Sequence, residues 1–168
     1  MTTIDYLNTC PADAFVAAIG FAFEDSPWIA RDAASKRPFA SVAALHAAMF
    51  SVVANAADDA QVKLIGAHPD LAGRVAREGR LTAASASEQA GAGLGALTPA
   101  EIGRFDADNG AYRTRFGFPF VICARENTKE SILAALAARL ENDRATEIAT
   151  ALAEIAKIAR LRIEDAVS

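Results

Sequence analysis

The segment DRATEIATALAEIAKIARLRIED, residues 143–165, decides the fold class of this chain. Its apolar residues recur every three or four positions, which is the period of an α-helix. They form one stripe, made of Ile148, Leu152, Ile155, Ala159 and Ile163. Charged residues lie on the other face, and Asn142 or Asp143 can cap the first turn. The pattern predicts one amphipathic helix from about Asp143 to Asp165.

Helix starts occur along the rest of the chain as well. Proline stands at the start of a helical pattern in CPADAF (residues 10–15) and SPWIAR (residues 26–31), where its missing N–H does no harm. Caps are expected at Ser41, Thr98 and Thr128, and the one at Thr98 opens a capping box. The sequence therefore predicts an all-α protein, a single compact domain over residues 1–168 with about eight helices.

One segment, RFGFPFVICA at residues 115–124, does not fit a helix. It is rich in aromatic and β-branched residues and contains Gly117 and Pro119, which favours extended backbone, yet the sequence offers no partner strand. Its backbone N–H and C=O groups need other partners, and neighbouring side chains, water or a polar ligand are the candidates. We expect one short extended segment among the helices.

Composition argues against several classes of function. The 168 residues carry a net charge of −4, so the chain offers no basic surface to a nucleic acid. The sequence shows no apolar run near the roughly 20 residues of a spanning helix, no signal-peptide pattern and no peroxisomal tripeptide. Cys10 and Cys123 lie far apart and form no CxxC pair, which favours a reducing compartment over a disulfide framework. We expect a cytoplasmic protein without membrane or nucleic-acid partners.

No metal site is predicted. The sequence has no HxxxH, HExxH or Cys/His cluster, and DADN at residues 106–109 lacks the spacing of a calcium loop. The glycines of GAGLG, residues 91–95, follow no strand, so they do not indicate a dinucleotide site. Cys123 lies in an apolar run, and we expect a buried, unreactive thiol.

The two histidines differ in context. His46 has apolar neighbours at helical spacing, which is typical of a core or boundary residue. His68 stands where Pro69 stops a helix, ahead of the turn-forming DLAG. Since histidine exchanges protons near neutral pH, His68 is a candidate acid–base group, and a structural or capping role is the alternative.

The stretch SASEQAGAGL, residues 85–94, has Ser85 and Glu88 at capping-box spacing and is predicted to start a helix. Gly91 and Gly93 lower helix stability by about 1 kcal/mol each relative to alanine, which suggests a close approach of another backbone or a ligand. Glu88 and Gln89 could orient an imidazole or hydrogen-bond a polar heterocycle.

Arginines near the end of the last helix and after the extended segment are candidate anion ligands. Arg160 and Arg162 cannot face the same way on a helix, and Arg162, beside the stripe residue Ile163, is expected to point inward while Arg160 is solvated. Arg125 is a second candidate, because a guanidinium can grip a carboxylate with two parallel hydrogen bonds. A favourable interaction with the helix dipole is the alternative for a terminal-turn arginine.

Four segments in this order resemble the OHCU decarboxylase family, whose members act on 2-oxo-4-hydroxy-4-carboxy-5-ureidoimidazoline (OHCU) at the end of urate breakdown. They are HPDLAGR (residues 68–74), LTAASASEQAGAGL (81–94), YRTRFGFPFVICAR (112–125) and EIAKIARLRIEDAV (154–167). IDYLN (4–8) and RPF (37–39) extend the resemblance over nearly the whole chain.

The resemblance implies an all-helical, usually dimeric enzyme that needs no cofactor and forms (S)-allantoin and carbon dioxide. It places the family's catalytic histidine, glutamate and arginine on His68, Glu88 and Arg162, with LRI here in place of the family's LRL. The substrate contacts that it implies are Pro69, Ser85, Ala86, Ser87, Glu88, Gln89, Phe120, Val121, Ile122, Cys123 and Ala124. The extended segment would then present free backbone groups to a small polar ring.

Two other classes of function remain open from the sequence. A non-catalytic helical module could bind a purine-like ligand or a protein partner, and a purely structural domain would expose a large apolar face. Hydrolysis of hydroxyisourate, the neighbouring chemical step, is associated with a β-rich fold, so the helical pattern argues against it.

Overall fold

The computed structural model describes residues 2–168, apart from the side chain of Val75. The α-helices within this range are α1 (Ile4–Thr9), α2 (Ala12–Ile19), α3 (Pro27–Ala33), α4 (Val42–Ala54), α5 (Asp58–Gly66), α6 (Arg74–Arg77), α7 (Ala83–Gly91), α8 (Pro99–Phe116), α9 (Lys129–Arg139) and α10 (Arg144–Ala166). Three 3₁₀ turns are Gly20–Ala22, Ala34–Lys36 and Ala124–Glu126. The only β pairing in this range is an isolated bridge between Thr2 and Val167. The all-α prediction is confirmed.

Helix α10 matches the predicted amphipathic helix almost residue for residue. Asp143 caps it, because the Thr146 N–H donates to Asp143 Oδ1 at 2.7 Å and thereby lowers the pKa of that carboxyl. The stripe residues Ile155, Ala159 and Ile163 are at most 1% exposed. The first turns differ from the prediction, since Glu147 is fully buried while its apolar neighbour Ile148 is half-buried.

The chain divides into two compact units, and the boundary falls inside α10. The first unit comprises the described residues up to Ala67 together with Ala156–Ser168. In it, α3 packs on α2 and α4. Its fully buried core includes Leu7, Phe15, Ile19, Ile29, Leu45 and Met49.

Side-chain bonds to backbone tie the first unit together. Arg37 donates to the carbonyls of Leu7 at 3.1 Å and Cys10 at 2.6 Å, at the end of α1. Asn8 Oδ1 accepts from the Phe39 N–H, and Asn8 Nδ2 donates to the Phe39 carbonyl. The RPF sequence is therefore a structural element of this unit.

The second unit, His68–Ile155, is built around α8. The buried face of α8 carries Phe105, Asn109, Tyr112 and Phe116. The Tyr112 ring lies 4.6 Å from that of Phe116 and 5.4 Å, edge to face, from that of Phe120. This aromatic cluster gives α8 a fixed surface for α9 and for the segment that follows Gly117.

The capping box predicted at the start of α8 is present and links α8 to α9. Thr98 N–H and Oγ1 donate to Glu101 Oε2, and Lys129 Nζ at the start of α9 lies 2.7 Å from Glu101 Oε1. These donors, with the hydrogen bond from Lys129 as the largest cause, lower the pKa of Glu101 to about 2.

We predict that Glu101 stabilises the fold above its ordinary pKa of 4.5 and that this contribution is lost as the pH falls towards about 2. A Glu101→Gln variant should therefore be less stable than wild type at pH 7, and the gap should narrow at pH 3. Urea unfolding of both proteins at the two pH values measures this. Exposed Glu141→Gln is the control, and a gap for Glu101→Gln that does not depend on pH would contradict the prediction.

Candidate active site

His68 lies just after the C-terminal end of α5, as the sequence predicted. The last helical residue is Gly66, Ala67 caps the helix, and Pro69 prevents its continuation. His68 is only 6% exposed. Because His68 is not part of a helix, the position of its side chain depends on the residues packed around it.

Residues 70–73, which follow Pro69, form a tight turn. The Gly73 N–H donates to the Asp70 carbonyl at 3.3 Å, and Ala72 has a positive φ of 53°. A Cβ on Gly73 would lie 2.8 Å from the Asp70 Cβ, so only glycine fits there. Ala72, by contrast, adopts a conformation that L-residues disfavour, and other contacts must hold it.

Side chains from α6, α7 and α8 supply those contacts. Asn109 Nδ2 donates to the Leu71 carbonyl at 3.0 Å, and Gln89 Oε1 accepts from the Ala72 N–H at 3.0 Å. Arg77 Nη1 donates to the Ala72 carbonyl at 2.7 Å. Asn109 and Gln89 are each 5% exposed, so these bonds are shielded from water.

Helix α7 carries the second group of candidate residues and starts earlier than the sequence suggested. Thr82 is the cap, accepting from the Ser85 N–H, so the expectation that Ser85 and Glu88 form the capping box is wrong. Ser85 and Gln89 are buried and Glu88 is half-buried, on one face of the helix. This face of α7 therefore carries a hydroxyl, a carboxylate and a carboxamide side by side.

The structure also shows the surroundings of the remaining α7 residues that the sequence singled out. Ala86 and Ser87 are exposed, so their side chains do not share the buried face. Gly91 is the last helical residue and Gly93, with φ 83°, lies beyond the end. A Cβ on either glycine would meet nothing within 4 Å, so no close backbone approach explains them.

The segment between Gly117 and the turn at Ala124 is neither helix nor strand and is buried from Phe118 to Ala124. Protein side chains satisfy several of its polar groups. Arg139 Nη1 donates to the Val121 carbonyl, and Glu154 Oε2 accepts from the Cys123 N–H, both at 2.8 Å.

Neighbouring side chains, one of the three kinds of partner expected from the sequence, therefore bind part of this backbone and leave fewer of its polar groups to a ligand. Within residues 2–168, the N–H and C=O groups of Phe120 and Ile122 have no protein partner. The Phe120 side chain itself lies in the core, 1% exposed. Substrate contacts at this segment would come from its main chain.

A buried polar network supports the segment from α8, α9 and α10. Glu147, fully buried, accepts hydrogen bonds from Tyr112 and Asn142 and pairs with Arg139, whose Nη2 lies 2.9 Å from Glu147 Oε2. The Arg139 guanidinium also stacks over the Phe120 ring, 4.4 Å from its centroid. Burial and the hydrogen bond to Glu147 raise the pKa of the Tyr112 hydroxyl well above its usual value.

The arginine candidates differ in their surroundings. Arg162 and Glu24, each 5% exposed, form an ion pair in the first unit with Nη1 2.8 Å from Oε2. Glu24 was not among the residues singled out from the sequence. Arg160 pairs with Glu164 at the surface, as expected for a solvated residue, and Arg125 is exposed.

The remaining candidates take structural roles. His46 Nε2 lies 2.9 Å from the Ala156 carbonyl, and its ring stacks on Phe50, consistent with a boundary histidine. Cys123 is a buried free thiol whose pKa is raised by desolvation.

The described residues include no cluster of three or more metal-ligating side chains. No helix among them has the length and apolar character needed to cross a membrane.

We predict that Glu147→Gln lowers the free energy of unfolding by about 3–5 kcal/mol, because it leaves the buried Arg139 charge unpaired. Urea unfolding at pH 7 measures the loss. Glu164→Gln breaks an exposed Glu–Arg pair on the same helix and should lower it by less than about 1 kcal/mol. Equal losses in the two variants would contradict the assignment of Glu147 as the centre of the network.

Known proteins match the chain over nearly its full length. A sequence model of the family described as OHCU decarboxylase matches residues 8–164. The 2-oxo-4-hydroxy-4-carboxy-5-ureidoimidazoline decarboxylase of Haloferax volcanii is 40% identical over 163 residues, covering 97% of this chain and 95% of the relative. The enzyme of that name from Amia calva is 42% identical over 159 residues, covering 95% and 91%.

A solved structure is similar as well. The crystal structure of (S)-allantoin synthase superimposes with a TM-score of 0.79 at 29% sequence identity. The match covers 100% of this chain and 54% of that one, so the present chain spans about half the length of the solved protein.

Proposed function

The chain belongs to the OHCU decarboxylase family, and we propose which of its residues carry out the reaction. It is a carboxy-lyase of urate degradation that decarboxylates OHCU to allantoin. We propose that the product is the (S) enantiomer and that no cofactor takes part. The substrate has a C=N bond that can accept the electron pair left by carbon dioxide, so a separate electron sink is not needed.

The observation that supports the assignment of residues is the link between the His68 turn and α7. The Ala72 N–H bonds to Gln89, which directly follows Glu88 in the sequence. This bond couples the acid–base candidate His68 to the helix that carries the candidate carboxylate. The 3₁₀ turn Ala124–Glu126, directly after the extended segment, packs against the same helix.

His68 is proposed as the proton-transfer group. Loss of carbon dioxide sends the electron pair into the C=N bond, and the ring nitrogen takes up a proton that is supplied by solvent. The substrate hydroxyl then loses a proton as it becomes a carbonyl, and the ring carbon that becomes the stereocentre gains one. An imidazole can perform both transfers near neutral pH. Its burial limits access of water, so delivery of the proton from one side sets the handedness of the product.

Glu88 and Gln89 are proposed to bind the ureido group or to orient the imidazole. Glu88 is half-buried on the same face as Ser85 and Gln89, so one helix face offers a carboxylate, a hydroxyl and a carboxamide. The Gln89 carbonyl oxygen is already occupied by Ala72, which leaves its NH₂ group as the part that would donate to substrate. Pro69 and the main chain of residues 120–124 complete the proposed contacts.

Arg162 is proposed to orient the substrate carboxylate. Its pairing with Glu24 offsets much of its charge, and this suits a decarboxylase. A guanidinium that binds the carboxylate strongly stabilises the ground state and slows the departure of carbon dioxide. A neutralised arginine retains the planar donor geometry without that penalty.

We further propose that the enzyme is a cytoplasmic homodimer. The two free cysteines are compatible with a reducing compartment. Light scattering of the purified protein tests the dimer, whose mass is twice that of the 17.6 kDa chain. Microscopy of a tagged full-length protein tests the location.

We predict that the protein accelerates the appearance of optically active allantoin from freshly generated OHCU, and circular dichroism of the reaction mixture measures this.

The variant His68→Asn should lower kcat by about 10²–10⁴-fold, because asparagine cannot exchange the proton. His46→Asn is the matched control and should retain kcat within about threefold. An unimpaired His68→Asn enzyme excludes the proposed role. Tight substrate binding without turnover by wild type would instead favour a non-catalytic binding module.

We predict that Glu24→Gln lowers both kcat and KM. Without the carboxylate, Arg162 carries its full charge and binds the substrate carboxylate more tightly in the ground state than in the transition state. Steady-state kinetics at a fixed pH measures the two constants, and circular dichroism of the protein checks that the variant folds. Exposed Arg160→Gln should leave both constants unchanged. A higher KM for Glu24→Gln would contradict the proposal.

A further inference from the structure

The Leu71–Ala72 peptide unit is held on both of its polar atoms by buried carboxamides. Asn109 Nδ2 on α8 donates to its carbonyl, and Gln89 Oε1 on α7 accepts from its N–H, each at 3.0 Å. The two side chains come from different helices and are each 5% exposed. Rotation of this one peptide plane would break both bonds.

The orientation of that peptide unit selects the turn type. In the turn of residues 70–73, Leu71 and Ala72 are the two central residues, and only Ala72 has a positive φ. A positive φ at the second central residue is the feature of a type II turn, which favours glycine there, whereas type I suits alanine. Flipping the Leu71–Ala72 peptide converts one type into the other. Alanine at position 72 therefore favours a type I turn. The clamp formed by the hydrogen bonds of Asn109 and Gln89 to the Leu71–Ala72 peptide prevents that turn.

One atom of the buried Asn109 side chain lowers the stability of the fold. Its Oδ1 is buried and has no hydrogen-bond partner among the described residues. A buried acceptor left in this way destabilises a fold, and each case needs a reason. The donor bond to Leu71 supplies that reason, because no apolar residue of the same size could replace it.

We propose that Asn109 is a positioning residue for His68, acting through the Leu71 carbonyl and the type II turn. This inference rests on the proposed role of His68. The turn begins two residues after His68, and Pro69 between them transmits a change in backbone direction instead of absorbing it. Loss of the Asn109 bond lets the turn relax to type I and displaces the imidazole. Displacements of about 1 Å lower rates by about 10²-fold.

The test compares Asn109→Leu, Ala72→Gly and the double variant. Asn109→Leu keeps the number and branching of the side-chain heavy atoms but removes the donor, and kcat should fall by about 10–10²-fold with little change in KM. Ala72→Gly alone should retain kcat, because glycine adopts a positive φ without penalty. In the double variant glycine favours the type II turn by itself, so most of the lost kcat should return.

This rescue separates positioning from a general loss of stability. A merely structural role for Asn109 predicts that Ala72→Gly does not restore kcat. The matched control is Gln61→Ala, since Gln61 Nε2 donates to the Val53 carbonyl at 3.0 Å in the first unit. It should lower the unfolding midpoint without changing kcat.

Two further measurements keep the outcomes distinct. If Asn109→Leu does not fold, Ala72→Val tests the same turn, because a β-branched residue disfavours a positive φ and should lower kcat likewise. Hydrogen exchange of the Ala72 amide should become faster in Asn109→Leu and slow again in the double variant. Full kcat in Asn109→Leu, or no recovery in the double variant, overturns the proposal. An inactive wild type overturns the proposed function instead, while amide exchange still reports on the clamp.

Discussion

Backbone that is buried outside a helix must find hydrogen-bond partners other than its own neighbours, and both halves of the candidate site depend on this constraint. The turn after His68 obtains its partners from Asn109 and Gln89, and the segment before Ala124 obtains them from Arg139 and Glu154. The helices therefore serve as a frame whose buried polar side chains shape irregular backbone. We therefore expect the loss of one such side chain to act first on the segment that it holds and not on its own helix.

The elements that sequence alone predicted are those whose cause is local. The period of apolar residues in α10, the capping box of Thr98 and Glu101, and the stop at Pro69 each depend on residues within one or two turns of each other. The extended segment was also predictable, since Gly117, Pro119 and their β-branched neighbours disfavour a helix. What the sequence left open was the identity of its hydrogen-bond partners, which lie 18 and 31 residues away along the chain.

Two of the residues that the sequence analysis missed, Asn109 and Glu147, share one signal, a polar side chain in or next to an apolar stripe. Asn109 stands between Phe105 and Tyr112 on the buried face of α8, and Glu147 occupies a buried position next to the predicted stripe of α10. Such residues are rare in cores unless a partner satisfies them. The pattern could have marked both as anchors. It could not have named Leu71 or Arg139 as the partners, because those pairings depend on tertiary structure.

The central peptide of the His68 turn is held by two amide side chains, whereas the segment before Ala124 is held by the charged side chains of Arg139 and Glu154. A group that changes its protonation during turnover is sensitive to every charge near it, and in a buried site the effect is large. Asn109 and Gln89 are neutral amides, so these two contacts add no charge near the His68 turn, although the Arg77 guanidinium also donates to the Ala72 carbonyl. The segment held by Arg139 contributes only backbone dipoles, which do not titrate either. The buried Arg139–Glu147 pair beside that segment has no proton-transfer role in the proposed reaction, so its electrostatic effect on the segment stays constant during turnover. Holding the central peptide by amides therefore fixes the geometry of the turn without adding a charge to that peptide, beside the residue proposed for proton transfer.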